Sequence, residues 1–388
     1  MKKLRTAIIG CGMIANSAHL PALHILESEG LVELAAVADI RLEAAKSTAE
    51  RHGIPKYYTD PQKMLDEVSP DFVAVCTPNV FHKQWTIAAL KAGAHVACEK
   101  PTAISLRDAV EMWETAKRCD RQLFPCQCMR WRSYMMKAKE LAASGELGDI
   151  YFADVEFIRR IGIPTWGMFH MKEYNFGGPF CDLGVHLIDS LLWIAGGPKV
   201  VSVSGGAAAR IAPRGEDIHL SLAESGAYSG VFDPRPYDPS EFNVEEFSDG
   251  FMRLLGGMTV MFKFSWAINL PTTNLKLNIC GDRAGLSVDR GILYRNIGRY
   301  QSDCELKWFD NGKYKGVPFE QHRYMYRNIW NTLAGNEEYL IKEAENLEVA
   351  KVIECYYRSV DEGREIRASE LDAGSVGDGV RQSQYSRL

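Results

Sequence analysis

The chain has 388 residues, enough for two domains that each enclose a hydrophobic core. Its hydrophobic content of 46% and charged content of 24% are ordinary for a globular protein. The formal net charge of −5 gives no electrostatic basis for binding nucleic acid or an anionic membrane, and no apolar run approaches the ~18 residues of a spanning helix. The ten cysteines lack zinc-finger spacing, which predicts reduced thiols in a cytoplasmic protein.

The first 22 residues allow two interpretations. MKKLR followed by TAIIGC resembles the basic region, apolar stretch and cleavage cysteine of a lipoprotein signal. Such a signal needs about 7–15 apolar residues, whereas only three precede Gly10. The alternative is a buried strand that enters Gly10-x-Gly12-x-x-Ala15, a turn that receives a dinucleotide pyrophosphate. The elements that follow favour this alternative.

A helix over residues 14–26, bent near Pro21, and a strand over 31–38 complete this unit. The turn glycines allow a tight bend and a close backbone approach, and the amides at the helix N-terminus favour phosphate. Asp39 ends the second strand, where an acidic side chain bonds the ribose 2′-hydroxyl and repels a 2′-phosphate. We therefore expect NAD, with NADP left open because Arg41 could neutralise the additional phosphate.

Strand and helix continue to alternate up to about residue 125. Helices are predicted over residues 42–52, 82–92 and 106–119, and strands over 71–77 and 93–101. Continuous apolar strands are typical of a parallel sheet covered on both faces, so this part is a doubly wound Rossmann domain. Ligands bind beyond the carboxyl ends of such strands, where the turns at 10–15, 77–79 and 99–101 all fall.

The pattern changes from about residue 127. Alternating strands are predicted over residues 150–157, 258–266 and 275–279, and helices over 134–144, 183–194 and 339–358. Period-two alternation predicts an α+β domain with an open, mostly antiparallel sheet. Residues 210–245 are predicted to be an irregular excursion, and the tail after Ala373 a disordered segment or an assembly arm. The predicted division is 1–125 for the Rossmann domain, 126–368 for a substrate and oligomerisation domain, and 369–388 for a polar tail.

Several motifs occur in a familiar order: GCGMIA, ADI, CTPNVFH, CEKP and GGPFCDLGVHLID. Together they resemble the glucose–fructose oxidoreductase/inositol dehydrogenase/MocA family over residues 4–365. The resemblance implies a Rossmann domain joined to an α/β domain, NAD(P)-dependent oxidation of sugars, inositols or related polyols, and dimers or tetramers. FIRRIGIPTWGMF further resembles a branch that acts on sugars and glycosides, including at C3.

Oxidation of a secondary alcohol needs a base for the hydroxyl proton and a cation for the developing alkoxide. Asp182 and His186 are four residues apart at the start of a predicted helix, so they share one face. We expect Asp182 to hold one imidazole nitrogen and His186 to be the base, with a pH profile governed by this pair; a helix cap and a core histidine are the alternatives. The resemblance also makes Lys100 catalytic, against the alternative of a surface lysine.

The resemblance implies further contacts. The predicted cofactor residues are Gly10, Gly12, Met13, Ile14, Asp39, Arg41, Thr77, Pro78, Asn79, His82, Glu99 and Lys100. The predicted substrate residues are Arg130, Arg159, Arg160, Trp166, Tyr174, Asp182 and His186. An ion pair between domains is the alternative for Arg130, core packing for Trp166, and a helix-surface position for His82. His19, His24 and His170 show no joint ligand spacing, so no metal is assigned.

Three classes of function remain open at this stage. The first is a dehydrogenase of a sugar, glycoside or polyol hydroxyl. The second is a glycosidase that retains NAD and cleaves by transient oxidation and elimination, as some relatives do. The third is a non-catalytic NAD-binding regulator, which an intact Lys100, Asp182 and His186 disfavour.

Overall fold

The computed structural model describes residues 3–214, 232, 234–307 and 313–371. The predicted tail after Ala373 lies outside these residues, and so does part of the predicted excursion over 210–245. Among the described helices, none combines the length and the apolarity needed to cross a membrane.

The first half of the chain folds around a six-stranded parallel sheet. Its elements are β1 Leu4–Ile9, α1 Leu20–Ser28, β2 Val32–Ala38, α2 Leu42–His52, β3 Tyr57–Tyr58, α3 Pro61–Val68, β4 Phe72–Val75, α4 His82–Lys91, β5 His95–Cys98, α5 Leu106–Arg118 and β6 Leu123–Pro125. The strand order is β3-β2-β1-β4-β5-β6, and all pairs are parallel. This confirms the predicted Rossmann sheet, whose order reverses between β1 and β4.

The second half contains a nine-stranded sheet. Its elements are α6 Ser133–Ala143, β7 Ile150–Ile158, α7 Lys172–Asn175, α8 Val185–Ile194, β8 Val200–Ala208, β9 Phe247–Leu254, β10 Thr259–Ser265, β11 Thr273–Gly281, β12 Ala284–Ser287, β13 Ile292–Ile297, β14 Tyr300–Glu305, α9 Glu320–Leu333, α10 Glu343–Glu362 and β15 Ile366–Arg367. The order is β14-β13-β12-β11-β7-β10-β9-β8-β15. Among the described strands of this sheet, β7 and β10 are the one parallel pair, so the predicted mostly antiparallel sheet is confirmed.

Helices cover one face of the nine-stranded sheet. Alternate residues of β10 (Val260, Phe262 and Phe264) are buried beneath α6, α8 and α10 in one apolar cluster. The opposite face carries Met261, which is 55% exposed, beside Phe251 of β9. The sheet is therefore open on that side, as its alternation predicts.

Two helices begin differently from the predictions. The predicted helix over 14–26 begins with a π-helical turn, Ala15–His19, and α1 starts just before Pro21. Proline fits the first turn of a helix because its missing N–H has no partner there. A second π-helical turn, Phe180–Gly184, precedes α8. Both turns carry residues of the candidate site, where such turns are frequent.

Helix α9 was not predicted, and it packs on the first domain. Met325, Tyr326 and Ile329 are buried in the same apolar cluster as Ile8 of β1 and Leu23 of α1. The predicted division at residue 125 therefore leaves out a part of the first domain's core that lies 200 residues further along the chain.

Arg130 joins helices of the second half rather than facing a substrate. Its Nε and Nη2 donate to the two carboxylate oxygens of Asp189 at 2.8 and 2.6 Å, and its Nη1 donates to Glu345 of α10. Arg130 and Asp189 are almost fully buried. Arg130 does form an ion pair, but the pair lies within the second domain and does not join the two domains as the alternative supposed. Every guanidinium nitrogen has a carboxylate partner, so the side chain is not free to contact a substrate as predicted.

Replacing Arg130 should destabilise the fold. In Arg130→Gln the Asp189 carboxylate loses its charged partner while it remains buried, which typically costs about 3–5 kcal/mol. Urea unfolding followed by circular dichroism measures this loss. Arg118→Gln is the control because that side chain is 62% exposed on α5, and it should change the free energy of unfolding by less than about 0.5 kcal/mol. Equal stability of the two variants would contradict a structural role for Arg130.

Candidate active site

The glycine turn after β1 has the shape that a dinucleotide needs. Gly10 has a φ of +96°, and a Cβ there would lie 2.5 Å from the carbonyl oxygen of Cys76, so no other residue fits. A Cβ on Gly12 would meet nothing within 4 Å, which leaves room on that side for a pyrophosphate. Met13 and Ile14 form the first helical turn after the glycines and direct its amides toward that space.

Asp39 lies beside this turn at the end of β2. Its Oδ2 accepts the N–H of Cys11, and its Oδ1 accepts the N–H of Arg41, both at 2.9 Å. The Nε of Arg41 lies 3.7 Å from Oδ1. The carboxylate is thereby fixed beside the glycine turn, and Arg41 remains close enough to offset its charge.

His82 is fully buried, which excludes the helix-surface alternative. Its Nδ1 lies 2.7 Å from the carbonyl oxygen of Pro101, and its Nε2 lies 2.8 Å from that of Thr77. The ring therefore ties the Thr77–Pro78 turn after β4 to the loop after β5. Burial lowers the pKa of His82, so the neutral ring donates its one N–H to one of these two carbonyl oxygens and holds the loops together. The predicted cofactor contact of His82 stays a prediction.

Asn79 and Tyr174 connect the first domain to the short helix α7. The Asn79 amide donates to the carbonyl oxygen of Asn175 at 2.9 Å, and the Tyr174 ring lies 6.1 Å from that of Phe81. The two candidates therefore lie close together where the first domain packs against α7.

Glu99 points into the first domain. Its Oε1 lies 2.8 Å from Nε2 of His19, and its Oε2 accepts the N–H of Lys100 at 3.0 Å. Nδ1 of His19 is bound in turn to the hydroxyl of Tyr326, and His322 lies 3.7 Å from the carboxylate. This buried network holds the backbone of Lys100 through its N–H. Glu99 thus has a structural contact here, and its predicted contact with the cofactor stays a prediction.

Lys100 reaches across the cleft to Asp182. Its Nζ donates to Asp182 Oδ1 at 2.9 Å and to the Asp182 carbonyl oxygen at 2.7 Å. Both side chains are 15% exposed, so the pair borders the cleft. Burial acts to raise the pKa of Asp182, but Lys100, Arg159 and a hydrogen bond from Trp266 lower it overall. Asp182 therefore stays ionised beside the ammonium.

Trp266 was not predicted as a site residue. It is fully buried at the end of β10, and its indole N–H donates to Asp182 Oδ2 at 3.0 Å. The only signal in the sequence was a tryptophan that ends an alternating strand, which core packing explains equally well. With Lys100 on one oxygen and Trp266 on the other, the Asp182 carboxylate is fixed in orientation.

His186 lies one helical turn after Asp182, but the predicted pairing of the two is wrong. In the part of the chain that the structure describes, no hydrogen bond joins them, and the two carboxylate oxygens accept from Lys100 and Trp266 instead. His186 Nδ1 is buried, and no described residue forms a hydrogen bond with it. Burial and the charge of Lys100 lower the pKa of His186 to about 3, so its imidazole is neutral.

The loop after β7 carries the remaining candidates. Arg159 is half-buried, and its charge helps to lower the pKa of Asp182, whereas Arg160 is exposed. Trp166 is buried, with its ring 5.9 Å from that of Phe169, and its indole nitrogen has no hydrogen-bond partner among the described residues. The structure thus brings Arg159 close to the reacting groups and leaves Arg160 at the surface.

This arrangement defines a dinucleotide-dependent oxidoreductase, and comparisons with known proteins agree. Residues 4–126 match an oxidoreductase family with an NAD-binding Rossmann fold, and residues 135–287 match the GFO/IDH/MocA C-terminal domain. The chain is 30% identical to the D-glucoside 3-dehydrogenase of Escherichia coli K12 over 94% of its own length and 97% of that enzyme. The chain therefore belongs to the GFO/IDH/MocA oxidoreductase family.

Two further relatives match. The glucose-6-phosphate 3-dehydrogenase of Bacillus subtilis is 34% identical over 50% of this chain and 53% of that enzyme. A crystal structure of an oxidoreductase from Agrobacterium radiobacter, in complex with NAD+, L-tartaric acid and magnesium, superposes with a TM-score of 0.73 at 20% identity, covering 95% of this chain and 100% of that one. This superposition supports the fold of both domains.

The lowered pKa of His186 predicts the pH dependence of alcohol oxidation. A base acts in its neutral form, so activity should fall only as pH drops toward 3, where His186 becomes protonated. We expect kcat/KM to change less than about twofold between pH 5 and 7, whereas a histidine with an ordinary pKa near 6.5 would lose about 25-fold. Circular dichroism at pH 5 controls for unfolding. An acid limb near pH 6.5 would show that His186 titrates as an exposed imidazole does.

Proposed function

We propose that the protein oxidises a secondary hydroxyl of a sugar or glycoside, at C3, with NAD as the hydride acceptor. The Lys100–Asp182 contact is the observation that carries this proposal, because it places an ammonium at the mouth of the cleft beside a neutral imidazole. The similarity to a D-glucoside 3-dehydrogenase over almost the whole chain supports C3 as the carbon and a glucoside as the substrate class.

Each residue has a separate task in this proposal. The glycine turn and Asp39 would hold the dinucleotide, whose nicotinamide accepts the hydride when bound. Lys100 donates a hydrogen bond to the reacting oxygen and stabilises its negative charge as the proton leaves. His186 accepts that proton at Nε2, because Nδ1 is buried. Asp182 and Trp266 keep the lysine in place.

NAD is preferred to NADP in this proposal, although Arg41 allows some use of both. The Asp39 carboxylate accepts two backbone N–H groups and so faces the ribose position as a fixed negative charge. A 2′-phosphate would be repelled there unless Arg41 moved to meet it.

Single variants of the two reacting residues test the mechanism. Lys100→Met and His186→Ala should each lower kcat by roughly 10²–10⁴, and the double variant should lose less than the product of the two losses. NADH fluorescence should report unchanged cofactor binding in both. Lys91→Met is the control, an exposed lysine on α4 whose loss should leave kcat unchanged.

The substrate is identified with a panel of methyl glucosides and inositols. Net NADH formation with a 3-keto product supports the proposal. Cleavage of the glycoside without net NADH formation would contradict the proposal and favour a glycosidase that retains NAD. If the protein binds NADH but oxidises none of the compounds, the result would favour a non-catalytic NAD-binding regulator. If it oxidises an inositol faster than any glucoside, the enzyme would be a polyol dehydrogenase.

We also propose that the active protein is a homodimer or homotetramer in the cytoplasm. The open face of the nine-stranded sheet exposes Met261 beside Phe251, and ion pairs of Lys263 with Glu156 and of Lys276 with Asp154 lie on the strands around them. We infer that a partner subunit covers the exposed apolar side chains of this face. All ten cysteines are free, as expected in a reducing compartment.

The oligomer is tested by placing a charge on this face. Met261→Lys should shift the mass measured by light scattering at micromolar concentration toward the monomer, because a lysine there would be buried in the interface. Leu255→Lys is the matched control: Leu255 is 66% exposed in the turn before β10, off the sheet face. A monomeric mass for the unmodified protein would overturn this proposal.

A further inference from the structure

Two histidines and a glutamate from distant parts of the chain meet inside the first domain. His19 ends the π-helical turn before α1, Glu99 follows β5, and His322 lies in the first turn of α9. One potential ligand atom of each residue lies within 4.8 Å of those of the other two. Within the described residues, this is the one group of three or more histidine, cysteine or acidic side chains placed so closely. The structure therefore brings together potential metal ligands that their spacing in the sequence does not connect.

Both histidines approach the same carboxylate oxygen. Nε2 of His19 lies 2.8 Å from Oε1 of Glu99, and Nε2 of His322 lies 3.7 Å from that oxygen. Bonds of about 2.1 Å to a tetrahedral ion would separate neighbouring ligand atoms by about 3.4 Å. The His322 pair is already close to this spacing. The 2.8 Å pair would widen by about 0.6 Å on coordination.

His322 is the residue that points to a ligand. It is 2% exposed, and neither of its ring nitrogens forms a hydrogen bond with a described residue. Burial of a polar group without a partner is unfavourable. Burial also lowers the pKa of His322, so its ring is neutral, which is the form that binds a metal ion. Coordination would give Nε2 the partner that the described residues do not supply.

The groups around the cluster suit metal ligands. The hydroxyl of Tyr326 lies 2.6 Å from Nδ1 of His19, and the N–H of Lys100 donates to Oε2 of Glu99 at 3.0 Å. Such outer contacts orient the histidines and carboxylates that bind a metal. Burial acts to raise the pKa of Glu99, but the nearby His19 and His322 lower it well below its ordinary value. The carboxylate is therefore ionised and supplies negative charge for a cation.

We propose that His19, Glu99 and His322 bind a divalent ion of the zinc class. Two imidazole nitrogens and a carboxylate oxygen are typical ligands of zinc and similar transition metals, whereas magnesium and calcium prefer oxygen ligands alone. Three protein ligands leave the fourth position to a water molecule. The ion would join α9 to the turn before α1 and to the end of β5. This inference is independent of the proposed function, because it involves neither the substrate nor the reacting groups.

Metal content is the first test. The full chain is expressed in medium with added Zn²⁺, so that the buried ligands can take up the ion as the protein folds, and is then freed of loosely bound ions. Mass spectrometry should find one zinc ion per chain. The ion should be absent from His322→Leu, which removes a ligand nitrogen and keeps a side chain of similar size.

His24→Gln is the matched control for adventitious binding. His24 is 35% exposed and stacks on His52, so this pair is more accessible to zinc than the buried cluster. The variant should keep its zinc. Absence of zinc from the unmodified protein, or zinc that is retained in His322→Leu and lost in His24→Gln, would overturn the proposal.

Two measurements on the unmodified protein keep the test valid if His322→Leu folds poorly. Expression with Co²⁺ in place of Zn²⁺ should give the visible absorption bands of a four-coordinate site. Zinc should also raise the melting temperature by about 5 °C relative to protein from zinc-depleted medium, because an ion that binds the folded state stabilises it. Equal melting temperatures with and without zinc, or absence of the cobalt bands, would contradict the proposal.

Discussion

The hydrogen-bonded ion pair between Lys100 and Asp182 is the contact on which the site depends. It joins the end of a strand in the Rossmann sheet to the π-helical turn that precedes α8 in the second domain. Because the lysine also binds the Asp182 carbonyl oxygen, its ammonium is held by two acceptors on one residue. The buried network behind Glu99 and the indole of Trp266 each support one side of this pair.

The same ion pair explains the error in the sequence-based assignment of Asp182. A spacing of four residues places Asp182 and His186 on one helix face, and that geometry is present. However, a carboxylate gains more from a charged ammonium and an indole donor than from a neutral imidazole. The ammonium comes from a residue 82 positions earlier in the chain, and no local pattern specifies such a partner.

Much of the Rossmann half could be predicted because its signals are local. Helix α2, Leu42–His52, has the predicted bounds, and the three turns of the ligand edge all lie where the strands end. Helix α9 could not be placed in this way, because its apolar residues pack on strands and helices from the start of the chain. The roles of Arg130 and Trp266 likewise depend on partners that only the tertiary structure brings near.

Because α9 packs in the core of the first domain, that domain depends on a segment from the second half of the chain. The order of the motifs along the sequence does not show this dependence. A fragment that ends after β6 would keep every residue of the glycine turn, yet it would lack Met325, Tyr326 and Ile329 from its core. The uncovered surface would include Ile8 and Leu23, which support the strand and helix on either side of that turn. Domain exchange among relatives therefore requires a graft of two separate segments, not one cut at the first boundary.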